Sequence, residues 1–84
     1  MDYGARTPAQ LGPILRSIRT AHRLSQKDAG AKVGLKQSTV SAIERNSAHT
    51  SVATLYKLLS ALGLELLVRD KTTDRDPRSR KHEW

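Results

Sequence analysis

Apolar residues recur at helical spacing along most of the chain and alternate in one short stretch. Leu11, Ile14, Leu15 and Ile18 fall three to four positions apart and predict a first helix over 8–22. Thr7-Pro8-Ala9-Gln10 reads as its start, with Thr7 as cap, Pro8 at the first helical position and Gln10 completing a capping box. Gly12 and Pro13 weaken its first turns, because proline removes a backbone hydrogen bond. Ser25 caps a second helix over 26–33, Asp28 suits the positive end of its dipole, and Gly34 ends it. Leu35 follows as an apolar plug, and a third helix with Val40 and Ile43 runs over 37–45. Asn46-Ser47-Ala48-His49 is a polar loop, after which Thr50 or Ser51 caps a fourth helix. Its stripe is Val52, Leu55, Leu58, Leu59 and Leu62, and Gly63 is its stop. Leu64 to Arg69 nearly alternates and predicts a short strand. From Lys71 onward the chain is charged and almost free of apolar residues, as in a disordered tail. The division is an N-terminal arm over 1–7, one folded domain over 8–70 and a tail over 71–84.

Composition narrows the class. A chain of 84 residues holds one small domain, and its two Tyr, one Trp and absent Phe leave the core to Leu, Ile, Val and Ala. Without cysteine there is no disulfide framework, and His22, His49 and His82 are too scattered for a metal site. No cofactor is expected. No nucleophile–base pair, carboxylate dyad or phosphate-binding glycine loop appears, so the chain does not read as an enzyme. With no membrane-spanning run and no signal peptide, it reads as soluble and cytoplasmic. Lys and Arg number 15 against 8 Asp and Glu, a net charge of +7 that favours a polyanionic partner. Nine basic and four acidic residues fall within 1–68, so most of the surplus sits on the part that folds.

Gln26 to Ile43, QKDAGAKVGLKQSTVSAI, carries the function. Two short helices meet at a tight turn centred on Gly34. Small Ala29 and Gly30 stand where the helices must approach, and Val33, Leu35, Val40 and Ile43 supply the inner apolar contacts. This is the pattern of a helix-turn-helix, whose second helix enters the DNA major groove. RNA binding fits less well, because stacking aromatics are lacking.

Over residues 8–63 the sequence resembles the phage-repressor-like (XRE, Cro/C1-type) helix-turn-helix family, with Gly30 departing from the usual Ala. GLKQSTVSAIE, LLSALGLELLVRD and the closing Glu83-Trp84 narrow the resemblance to antitoxins of the HipB type. Those proteins repress their own operon and neutralise a HipA-type serine/threonine kinase toxin. The resemblance implies an all-α, four-helix, lambda-repressor-like domain, with a short C-terminal β-strand pairing across a homodimer. It puts Lys36, Gln37, Ser38 and Ser41 against the bases, and makes Gln26 a phosphate holder and a brace for Gln37. A glutamine amide can grip adenine N6 and N7 together. Phosphate contacts are further expected from Lys27, Arg45 and the 46–51 loop with Ser47 and Thr50. Arg19 and Glu44 match the positions of an inter-helix ion pair. Leu64, Leu66 and Val68 are expected to face the helices and Leu67 the other side, so that strand pairing across the dimer covers the exposed leucine. Trp84, a large ring in a polar tail, is a possible partner anchor. The expected partners are double-stranded operator DNA, a second copy and a kinase toxin, with the protein nucleoid-associated when DNA-bound. The alternative is a plain regulator of the same family with no toxin.

Overall fold

A computed structural model describes residues 3–70 of the chain. The expectations of a disordered tail and of a Trp84 anchor fall on residues 71–84, outside the described residues. Among the described residues the architecture is α1 (Pro8–Ala21), α2 (Gln26–Ala31), α3 (Gln37–Arg45), a 3-10 turn (Ser47–His49) and α4 (Val52–Ala61).

The starts and stops follow local chemistry. Ser25 accepts a hydrogen bond from the Asp28 N–H at 2.9 Å and Ser51 from the Thr54 N–H at 3.1 Å, so Ser51 rather than Thr50 caps α4. Thr7 makes no capping bond. Gln10 reaches back instead to the N–H of Arg6, at 2.6 Å, one residue ahead of the expected partner. Helix α2 ends two residues before its predicted limit, because the N–H of Val33 and of Leu35 both return to the carbonyl of Gly30 and tighten the chain into the turn. Gly34 has a φ of 74°, which few other residues adopt without strain.

The core is aliphatic. Leu15 and Ile18 of α1, Ala29 of α2, Val40 and Ile43 of α3, and Leu58, Leu59 and Leu62 from α4 and its C-cap are buried together. Leu11, Ile14, Leu24, Leu35, Leu55 and Leu64 pack against them in part. Val52 stands at the first position of α4 and is 68% exposed, so the apolar stripe of that helix begins with Leu55.

Two glycines are fixed by close approach. A Cβ on Gly12 would collide with the backbone carbonyl of Glu44, so α1 crosses the C-terminal turn of α3 backbone to side. Gly12 therefore makes this crossing possible, and Pro13 lies exposed within a helix that runs on through it. A Cβ on Gly30 would likewise meet the carbonyl of Leu35. The missing side chain leaves room for the Leu35 carbonyl against α2.

The predicted strand is absent among the described residues: Leu64 to Asp70 has no regular secondary structure. The reason is physical. A ladder needs a second strand, and this single chain offers none. Leu64 is half-buried against the core, but Leu66 (52% exposed), Leu67 (65%) and Val68 (88%) all face outward. Leu66 and Val68 therefore do not face the helices, as the alternation suggested. No described helix is long and apolar enough to cross a membrane.

Gly12→Ala is expected to destabilise the fold by about 1–3 kcal/mol, because the clash is with backbone and α1 must move. For a domain of this size that lowers the thermal midpoint by roughly 4–8 °C per kcal/mol, readable by circular dichroism.

Candidate nucleic-acid interface

The turn and the start of α3 bring four of the expected side chains to one surface. Lys36 occupies the N-cap position of α3 in extended conformation and makes no capping bond, so its side chain projects as an exposed cation. Gln37 and Ser38 are exposed in the first helical turn, and Ser41, one turn on from Gln37, is half-buried. Val40 and Ile43 lie on the opposite, buried side of the same helix. The helix is amphipathic with its polar face outward and its N-terminal turn unobstructed. A recognition helix needs that arrangement to insert into a groove.

Gln37 is not a free surface side chain. Its Nε2 donates to Gln26 Oε1 at 2.6 Å, and Gln26 Nε2 donates in turn to Glu44 Oε1 at 3.1 Å. Glu44 is buried and accepts from Arg19 at both oxygens, from Nε to Oε2 at 2.6 Å and from Nη2 to Oε1 at 3.2 Å. The remaining Arg19 nitrogen, Nη1, donates to the Leu24 carbonyl at 2.7 Å, where the chain leaves α1. Arg23 sits there with a φ of 59°, which turns the chain so that the Leu24 N–H returns to the Arg19 carbonyl at 3.1 Å. One connected set of hydrogen bonds therefore runs from the end of α1, through the core, to the exposed tip of α3. Among the described residues no buried side-chain nitrogen or oxygen lacks a partner. The ion pair is almost fully dehydrated, with side-chain exposures of 9% for Arg19 and 3% for Glu44.

The mouth of this network is a polar cleft of about 400 Å³, lined by Arg16, Arg19, Ser25, Gln26, Glu44 and Arg45. Arg16 and Arg45 are exposed, from α1 and α3 respectively, and line the same cleft as Gln26. Arg45 is one of the expected phosphate contacts. Nothing in the helix-turn-helix pattern itself points to Arg16. Its place three residues before Arg19 puts both on one face of α1.

Lys27 is exposed on α2. The 46–51 loop closes a second cleft, of about 300 Å³, in which Thr50, Ser51 and His49 stand opposite Ser38 and Thr39 of α3. Thr50 thus joins the α3 surface. Ser47 does something else: its hydroxyl donates to the Pro8 carbonyl at 2.6 Å and ties the 3-10 turn to the start of α1. Its single side-chain proton is spent there, so Ser47 has no hydroxyl donor left for a phosphate.

The sequence and the fold place this chain in a known class. A helix-turn-helix family model matches residues 15–68, and the chain belongs to that family. Within it the chain is homologous to the HipB antitoxins. Antitoxin HipB of Escherichia coli O6:H1 (strain CFT073) is 33% identical over 64 residues, 76% of this chain and 68% of that protein. Antitoxin HipB of Escherichia coli K12 is 31% identical over 64 residues, 76% of this chain and 73% of that protein. The fold superposes with a TM-score of 0.79 on HipB in a HipA-HipB-O2-O3 complex, at 28% identity over 83% of this chain and 99% of that chain. A HipB-O4 20mer complex aligns with the same score, identity and coverage.

Because the ion pair is buried, losing one partner strands a charge. Arg19→Met should cost about 3–5 kcal/mol, whereas Arg19→Met/Glu44→Met, which removes both charges, should recover most of it. A double-mutant cycle in urea measures the coupling, and additive single effects would contradict it.

Proposed function

We propose that the chain is a dimeric, sequence-specific DNA-binding repressor that serves as the antitoxin of a HipA-type kinase and represses its own operon in the cytoplasm. The observation that carries the DNA-reading part is Gln37. It is an exposed amide at the first position of α3, held at its Nε2 by a chain of hydrogen bonds rooted in the core. A side chain immobilised before binding loses less entropy when it grips a base edge. Gln37 reads adenine, while Lys36, Ser38 and Ser41 contact neighbouring bases. Gln26, Lys27, Arg45 and Thr50 hold the backbone on either side. The Ser47 hydroxyl braces the loop, leaving its backbone N–H for a phosphate. The homology to HipB, and the solved complexes of HipB with 20mers and with HipA, support both the DNA partner and the toxin partner.

Dimerisation follows from the segment after α4. Leu66, Leu67 and Val68 are exposed, and residues 65–69 have no regular secondary structure. Pairing with the same segment of a second copy covers the side chains and satisfies the main chain. The two α3 helices are then related by a two-fold axis, as two half-sites require.

Gln37→Ala should lose about 1–3 kcal/mol at one base pair of each half-site and leave other positions unchanged. Lys27→Ala should weaken all sequences alike and reduce the salt slope by about 1. Both are read by fluorescence anisotropy on operator and random duplexes. Equal binding of operator by wild type and Gln37→Ala would contradict the base contact. Light scattering should give a dimer at tens of micromolar protein, and a monomer there would contradict the pairing. A HipA-type kinase gene beside this one, and binding of its product in calorimetry, test the antitoxin role; absence of the gene or of binding would leave a plain regulator.

A further inference from the structure

We propose that Glu44, buried in α3, is a positioning residue for base readout: it fixes which end of the Gln37 amide, donor or acceptor, meets each atom of the base. This rests on Gln37 meeting a base edge, as proposed above, and goes beyond it in assigning the cause of its orientation.

A glutamine amide can be turned over end for end with little change in shape, exchanging its oxygen for its nitrogen. On adenine the two orientations are not equivalent. Turned one way, the amide oxygen accepts from N6 and its N–H donates to N7. Turned the other way, donor faces donor and acceptor faces acceptor. An exposed glutamine with no fixed neighbour visits both.

In this chain the choice is made in the core. Arg19 can only donate, and a carboxylate can only accept, so the Arg19–Glu44 pair has one polarity. Gln26 approaches Glu44 Oε1 at 3.1 Å and must turn its amide nitrogen there. Its oxygen is then left facing Gln37, which must present its own nitrogen at 2.6 Å. Two flippable amides in series are thus set by two groups that cannot flip. What remains on Gln37 is one N–H and the oxygen, in a fixed spatial order, and that is the complement of adenine N7 and N6. The groups that set this order are buried. Glu44 and Arg19 are each only 7% exposed.

The test uses the full-length protein and a pool of duplexes with a randomised half-site, sequenced before and after capture. Wild type should enrich adenine at one base pair, and Gln37→Ala should erase that enrichment, which locates the pair. Glu44→Gln replaces the acceptor-only group by an amide that can also donate, so the chain can run either way. Enrichment at that pair should fall about tenfold, while enrichment at the other pairs and binding to random DNA stay close to wild type. Arg19→Met/Glu44→Met removes the acceptor without stranding a charge, and should show the same selective loss. Circular dichroism verifies that each variant is folded, and the double variant decides if Glu44→Gln is not. A merely structural role for Glu44 would lower enrichment at all pairs together or at none. Either folded variant keeping the wild-type adenine preference, at the pair where Gln37→Ala loses it, overturns the proposal. A wild type without preference at any pair instead rejects sequence-specific DNA reading itself.

Discussion

The ion pair between Arg19 of α1 and Glu44 of α3 is the constraint on which the rest of the molecule depends. Dehydrating two charges costs several kcal/mol, and their attraction offsets this only when the geometry is good and the remaining hydrogen-bonding capacity is filled. Both conditions are met here. The guanidinium makes two bonds to the carboxylate and a third to the Leu24 carbonyl, and the carboxylate takes a further bond from Gln26. An apolar pair of similar volume would satisfy the core as well or better. The charged pair contributes direction instead, because its hydrogen bonds are satisfied in only one relative placement of α1, α3 and the start of α2.

That placement needs close helix contact, and Gly12 supplies it. The missing side chain lets α1 rest on the carbonyl of Glu44 itself, so the residue bearing the buried charge is touched from the backbone side as well. Ser47 adds a third tie between α1 and the segment after α3 through the Pro8 carbonyl. The aliphatic core drives collapse, whereas these polar and steric contacts decide the angle at which α3 leaves the surface. Gln37 inherits that angle.

Much of this is legible in the amino-acid order. The bounds of α3 follow from Gly34, Leu35 and the Val40/Ile43 spacing, and the burial of Leu55, Leu58, Leu59 and Leu62 from their period. What is not legible depends on which elements meet. Gly12 looks like a flaw in a helix until α3 crosses it, and Gly30 like a lost propensity until the Leu35 carbonyl fills its place. Ser47 reads as a loop hydroxyl, but its partner lies 39 positions away. The alternation over 64–69 describes a strand only when a second strand is present, so one chain shows Leu66, Leu67 and Val68 in the open. The Arg19–Glu44 positions are recognisable by resemblance, but the link from Glu44 through Gln26 to Gln37 is a matter of distances that no spacing encodes.

The bonds from Glu44 through Gln26 hold the Gln37 amide in the free protein, before any DNA arrives. The side-chain amide of Gln37, measured by nitrogen-15 relaxation in the absence of DNA, tests this most directly. An order parameter near that of rigid backbone, about 0.85, is the predicted result. A value below about 0.6 would show a freely turning side chain and contradict it.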